Sequence, residues 1–311
     1  MELKGVARHF SDFYNTGSEH SIGLAAIKTL MKCIEDSKAT TVNELTDELK
    51  NVEKEMFTTD YSFTTIRSAS ELFLRFISLA TAEQNVQEFS QLMEMYCKRG
   101  RIFIERVARS RSLISRFARP FVQNNSRILT HSFSRVVLRA LIDAKGSGVD
   151  VHIFVTESHP DVSGKTMFNL LRNAGIRTTL ILDSAVGYLM ESIDMVLIGA
   201  EGVMETGGVI NKIGTLSMAI CAKAMNKPVY VMAESIKFVK EYPLNQSDIP
   251  LEFKYRSSIL QKSEGQSPEV DLSEEHPTVD YTPPQYINLL FTDLGILTPA
   301  AVGDELIKLY T

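Results

Sequence analysis

Apolar positions recur at helical spacing through the first third of the chain and gather into short unbroken runs through the rest. In SIGLAAIKTLMKCIED, Ile22, Ala25, Ala26, Thr29, Leu30 and Cys33 form one stripe, the signature of an amphipathic helix. TVNELTDELKNVEKEMF opens on Thr41 with Glu44 three residues later, a capping pattern, and continues in helix formers. SELFLRFISLATAE predicts a helix starting at Ser70, and EFSQLMEMYCKRGRIFIERVARSRSLISRFARPFV predicts a long one ending near Pro120. No strand-like alternation interrupts this half.

Beyond about residue 122 the period changes. Apolar, β-branched runs at Ile128–His131, Val151–Thr156, Thr178–Asp183, Met195–Ala200, Pro228–Ala233 and Ile287–Thr292 alternate with helical stretches at 135–145, 164–174, 185–192, 213–226 and 299–309. That alternation predicts βαβ units and a mainly parallel sheet with helices on both faces. The expected organisation is an all-helical domain over 1–122 and an α/β domain over 123–311, with a long polar loop at about 240–286. In such sheets ligands sit outside the carboxyl ends of the strands. The residues following the runs, Ser132, Glu157, Asp183, Glu201 and Glu234, therefore predict a rim rich in carboxylates.

Composition narrows the classes. With 33 Lys and Arg against 38 Asp and Glu, the net charge is −5, which argues against a general nucleic-acid coat; no DNA partner is expected. Against that background the run Lys98–Arg119 carries eight basic residues and one acid, Glu105. It reads either as a solvated helix face paired with acids elsewhere or as a surface for an acidic or phosphorylated partner, with Arg101, Arg106 and Arg109 as candidates. Three scattered cysteines predict reduced thiols in a cytosolic protein. No apolar run suits a signal peptide or a membrane span, and no histidine spacing suits a metal.

Three motifs carry candidate chemistry. Ser163-Gly164-Lys165-Thr166 ends like a phosphate-binding loop, but the position that needs the first glycine is His159, followed by Pro160, which has no N–H to offer. Thr130-His131-Ser132 places a serine beside a histidine, yet neighbours on a strand face opposite ways and cannot pair as nucleophile and base. Gly199 to Thr215 runs from a strand through a carboxylate and glycines into a helix, with Asn211 and Lys212 expected near the helix start. It reads equally as a tight turn or as a cradle for a phosphate or sugar hydroxyl.

The segments ELFLRFISLA, ILTHSFSRVVLRAL, VTESHPDVSGK, LDSAVGYLMESIDMVLIGAEGV, INKIGT, NKPVYVMAES and FTDLGILTPAAVGDELIKLY, in unbroken order, resemble the alpha-subunit family of eukaryotic translation initiation factor 2B. The resemblance implies a Rossmann-like second domain and a non-catalytic regulatory subunit of the guanine nucleotide exchange factor for initiation factor 2. It implies a homodimer that bridges copies of the beta, gamma, delta and epsilon subunits and senses initiation factor 2 phosphorylated on its alpha subunit. The location implied is the cytosol.

The superfamily also contains sugar-phosphate isomerases, including methylthioribose-1-phosphate isomerase, so an aldose–ketose isomerase is the alternative. Those enzymes carry cysteine where this chain has Ser132, aspartate where it has Glu201, and arginine where it has His159. Serine is a far weaker acid than cysteine, and a one-methylene displacement of a carboxylate is costly. A non-catalytic pocket is therefore expected, formed by Arg67, Ser132, Arg135, Glu157, Asp183, Glu201, Asn211 and Lys212. It requires no cofactor and no metal, and takes a sugar phosphate or nucleotide monophosphate as a stabilising ligand.

Overall fold

The computed structural model describes residues 5–16, 21–59, 61–83, 88–250, 253 and 277–310. Residues group into two compact units, Met1–Arg109 with Leu309–Thr311, and Ser110–Lys308.

The first unit is helical. Its elements are α1 (Val6–Asn15), α2 (Ile22–Asp36), α3 (Val42–Met56), α4 (Phe63–Glu83) and the start of α5 (Phe89–Ala118). Ser21 caps α2 by accepting from Leu24 N–H at 3.1 Å, an interaction of about 1 kcal/mol. Thr41 caps α3 through Glu44 N–H, while the Glu44 carboxylate reaches back to Thr40 N–H at 2.8 Å. The predicted start at Ser70 is corrected: α4 begins at Phe63, and Ser70 is fully buried inside it. The stripe on α2 packs against α1, α3 and α4, burying Ile27, Leu30, Ile34, Leu45, Ile66 and Phe73. Each such side chain contributes roughly 1.5–3 kcal/mol of transfer free energy.

The second unit is built on a seven-stranded sheet. Its elements in chain order are β1 (Arg127–Thr130), α6 (Arg135–Gly146), β2 (His152–Thr156), α7 (Ser163–Asn173), β3 (Arg177–Ile181), α8 (Val186–Met190), β4 (Met195–Gly199), β5 (Gly202–Met204), β6 (Val209–Lys212), α9 (Thr215–Ala224), β7 (Val229–Met232), β8 (Phe238–Val239), β9 (Val279–Thr282), β10 (Leu289–Thr292), β11 (Gly295–Leu297) and α10 (Val302–Tyr310). The strand order is β11-β10-β7-β4-β1-β2-β3, parallel except for β11. β4 is buried along its whole length, as a strand covered on both faces must be. Ile128, Ile153 and Val155 pack with Val137, Leu141, Met167 and Leu171 of α6 and α7.

The chain steps from β1 to β2 and β3 on one side, then returns to place β4, β7 and β10 on the other. Right-handed crossovers send the helices of the two halves to opposite faces. The direction reverses between β1 and β4, so the crevice for a ligand opens just after Thr130 and Gly199.

A second, four-stranded sheet, β8-β5-β6-β9, begins immediately after Glu201. The sequence does not predict it, because strands of two to four residues leave almost no periodicity. β9 also corrects the predicted loop over 240–286: Val279–Thr282 pairs antiparallel with β6. Residues 251–252 and 254–276 of that predicted loop lie outside the described residues.

Candidate functional site

The switch point is shaped by its backbone. Gly199 ends β4 where a Cβ would stand 2.5 Å from Ser134 Oγ, so only glycine lets β4 run beside the start of α6. Ser134 caps α6 by accepting from Val137 N–H. Ser132 holds φ at 63°, a left-handed conformation that turns the chain sharply from strand into helix.

His131 and Ser132 do not meet. His131 is buried, with Nδ1 2.6 Å from Thr156 Oγ1 and Nε2 2.8 Å from the Ile213 carbonyl. A carbonyl can only accept, so Nε2 carries the proton and Nδ1 receives the Thr156 hydroxyl. Burial holds the ring below its ordinary pKa, in keeping with a neutral, structural histidine. Ser132 Oγ bonds Ser163 Oγ at 2.7 Å, and its N–H donates to Ser158 Oγ. Ser132 thus has a strained elbow without a general base.

Opposite stands a buried charge cluster. Lys212, 9% exposed, sets its Nζ 3.3 Å from Glu201 Oε1 and 3.3 Å from Asp161 Oδ2. Burial pulls the ammonium down, but the Glu201 and Asp161 charges outweigh it and leave the pKa raised, so Lys212 stays charged. Asn211 Nδ2 donates to Thr215 Oγ1. Asn211 and Lys212 end β6, three residues before α9 begins at Thr215, so they stand near the helix start but on a strand. The start of α9 is already filled: Asp280 Oδ2 accepts from Gly214 N–H at 2.8 Å and Leu216 N–H at 3.0 Å. Burial nevertheless raises the Asp280 carboxyl to about 7.

The other rim carboxylates brace the turns. Asp183 accepts from the N–H groups of Ser158 and His159, both at 2.8 Å. Glu157 lies 3.2 Å from His159 Nε2 and 3.8 Å from Lys165 Nζ. Glu234 is buried against Arg111 at 3.0 Å, with Lys237 at 3.5 Å; burial alone would raise its carboxyl, but the two cations pull it to about 2. Lys237 also donates to the Ala200 carbonyl at 2.7 Å, tying this pair to the turn that carries Glu201. The phosphate-loop likeness at Ser163–Thr166 has no free amides at its head. Ser163 N–H donates to Asp161 and Gly164 N–H to the Glu157 carbonyl, and a Cβ on Gly164 would stand 1.7 Å from Thr156 O.

The second unit thus brings together Ser132, Glu157, Asp183, Glu201, Asn211 and Lys212, with Arg135 at the first position of α6. Arg67 lies on α4 of the first unit, where its Nε donates to Glu71 at 3.0 Å. Asp161 and Asp280 carry no signal in the sequence, and Arg111 shows there only as one of the basic run, since each acquires its role through a partner distant in the chain. Around Lys212 the cluster encloses a cavity of about 10 Å³, lined by Ser158, Asp161, Ile213 and Thr278, room for a single water. Among the described residues no group of His, Cys, Asp or Glu is arranged to hold a metal. No described helix is long and apolar enough to cross a membrane.

The basic run divides. Arg101 pairs with Glu35 at 3.1 Å, Arg109 lies 3.8 Å from Glu105, and Arg106 is exposed. Arg101 also lines a groove of about 990 Å³ between α2 and α5, with Lys98, Glu94, Met93 and Ile102.

The chain is 53% identical over its whole length to all of the Caenorhabditis elegans translation initiation factor eIF2B subunit alpha. It is 41% identical to the same subunit of Dictyostelium discoideum, over 98% of this chain and 96% of that protein. It is 28% identical to a ribose 1,5-bisphosphate isomerase of Thermococcus kodakarensis, over 98% of this chain and 90% of the enzyme. Its fold matches a chain of the tetrameric eIF2B-beta2-delta2 complex from C. thermophilum with a TM-score of 0.75, at 18% identity, over 100% of this chain and 96% of that one. A model of the Initiation factor 2 subunit family matches residues 15–299, and the chain belongs to that family.

Proposed function

We propose that this chain is a non-catalytic, regulatory alpha-type subunit of the exchange factor for translation initiation factor 2. The observation that carries the reading is the end-to-end likeness to the nematode alpha subunit, 53% identical over the whole of both chains. In this reading the chain works in the cytosol beside beta, gamma, delta and epsilon subunits. It slows exchange when initiation factor 2 arrives phosphorylated on its alpha subunit. Arg101 and Lys98, on the α2–α5 groove, support a phospho-acidic contact, with Arg106 and Arg109 further along α5.

Self-association is supported by an apolar face on α8 and α9, which pack together. Tyr188 is 88% exposed and Ile220 44% exposed, and the backbone of Gly187 lies beside Cys221. Burying such a face against a second copy recovers its transfer free energy.

The switch-point cluster retains the parts of a ligand site. Glu201 and Asn211 suit sugar hydroxyls, and Arg135 suits a phosphate. Lys212 is already neutralised by two carboxylates, and the 10 Å³ beside it admits no sugar ring, so a sugar phosphate or nucleotide monophosphate requires the turn at 158–162 to move. A ligand that binds only the folded, assembled form stabilises it by mass action. Ribose 5-phosphate and adenosine monophosphate at saturation are expected to raise the melting temperature and the dimer fraction; no change in either removes the ligand from this proposal.

The deciding experiment is guanine-nucleotide release from unmodified and serine-phosphorylated initiation factor 2, by the reconstituted exchange factor with and without this chain. Inhibition by the phosphorylated form should weaken when the chain is omitted. Unchanged basal rate and unchanged inhibition would refute the regulatory role. The archaeal isomerase likeness favours one second reading, an aldose–ketose isomerase. Against it, the serine hydroxyl of Ser132 hydrogen-bonds Ser163 where the isomerases would need a thiol, and the one candidate base, Glu201, is paired with Lys212. Turnover of ribose 1,5-bisphosphate by the unmodified chain, above that of a Glu201→Gln variant, would establish the enzyme reading instead.

A further inference from the structure

The opposite end of the large sheet carries a feature that the proposed function does not use. Arg127, His152 and Arg177 are the first residues of β1, β2 and β3 and pair in register across the three strands. Residues in register on adjacent strands project to one face, about 4.8 Å apart from strand to strand, so the two arginine Cα atoms stand about 10 Å apart. It is the face opposite to Ile153 and Val155, which pack on α6 and α7. Contacts within the row agree. The Arg127 guanidinium lies 4.9 Å from the Phe154 ring centroid, the His152 ring lies 4.2 Å from the same ring, and His152 Nε2 bonds Thr179 Oγ1 at 2.8 Å.

Arg127 and Arg177 stand two strands apart, so their like charges repel across the intervening His152. A carboxylate nearby would relieve this, yet among the described residues neither guanidinium has one within ion-pair distance. Arg127 Nη2 donates to the Ser192 hydroxyl, and Asp194 spends its carboxylate on the Arg127 backbone N–H. Arg127 Nε is buried without a partner. Arg177 and Thr179 are exposed, and Arg127 and His152 are half-buried. Burial, then the Arg177 and Arg127 charges, hold His152 below its ordinary pKa.

We propose that the Arg127–His152–Arg177 row is a docking surface for an acidic segment of a partner protein, whose carboxylates supply the counter-charge the row lacks. A nucleic acid is the poorer fit. Tight binding to a phosphate backbone uses roughly 6–10 phosphate contacts, whereas this row offers two permanent charges on a chain of net charge −5. The face lies at the amino ends of the strands, away from the rim of Ser132, Glu157 and Asp183. It is therefore independent of the pocket and of the regulatory reading.

The test is fluorescence anisotropy on the full chain with a labelled poly-glutamate peptide at low salt, repeated with a labelled oligouridylate. Poly-glutamate should bind, weaken with added salt, and lose about tenfold in affinity in an Arg127→Gln, Arg177→Ser double variant of unchanged melting temperature. Because Arg127 packs on Phe154, Arg177→Ser alone, on the exposed edge, is the second variant, and a several-fold loss is expected there too. Bound peptide should also raise the His152 pKa, read by its ring-proton shifts. Equal affinity in wild type and variants, or no binding to either, overturns the proposal. Tighter binding of oligouridylate through the same arginines overturns it in favour of a nucleic-acid site.

Discussion

Single side chains in the second unit carry opposite pH signatures. Glu234 is pulled to about 2 when folded, below its unfolded value near 4.3. Its contribution is therefore present above the unfolded value and is lost as pH falls through 2. Asp280 is raised to about 7, above an unfolded value near 3.9, so the folded state binds the extra proton. Stability from this group is complete below about pH 4 and declines as pH rises to 7. Asp280→Asn keeps an acceptor for Gly214 and Leu216 and should flatten that decline; urea denaturation at pH 5 and pH 7.5 measures it, and an unchanged slope assigns the titration elsewhere. Arg111→Met leaves Glu234 buried with only Lys237 in reach. It should cost about 1–3 kcal/mol by the same denaturation, because Glu234 loses a charged hydrogen-bond partner and keeps only the Lys237 charge.

Helices and strands answer to different parts of the sequence. The stripe on α2 and the length of α5 were legible because helical periodicity is local. The six principal parallel strands were legible because strands buried on both faces are written as apolar runs. Ser70 misled because serine is also a good interior residue when its helix begins a turn and more upstream, at Phe63. The short strands β5, β6, β8 and β9 were not legible, for their pairing is decided by partners as distant as β6 and β9. At the level of packing between elements, Gly164 lets α7 start against the end of β2. Gly164→Ala drives a methyl into Thr156 O and should cost about 1–3 kcal/mol, seen as a lower melting temperature, while Gly146→Ala, which meets nothing within 4 Å, should not.

At the scale of the whole molecule, the net charge of −5 hides a division of labour. On α5, Arg101, Arg109 and Arg111 are each paired with a glutamate, whereas among the described residues the arginines at the amino end of the sheet have no carboxylate within ion-pair distance. The exposed α8–α9 face predicts concentration-dependent association. Tyr188→Asp should shift sedimentation from dimer to monomer at micromolar protein without altering the melting temperature of the monomer, and a dimer that survives it lies on another face. The amino-acid sequence by itself determined the family, the order of helices and parallel strands, and the rim at the switch point, since periodicity and strand order follow from local pattern and short crossovers. Only the tertiary structure decided what the rim residues do. A carboxylate's role depends on which distant group reaches it: Lys212 for Glu201, two backbone amides for Asp183, Arg111 for Glu234, and the head of α9 for Asp280. Charge and hydrogen-bond energies fall off within a few ångströms, and the chain must fold before those ångströms exist.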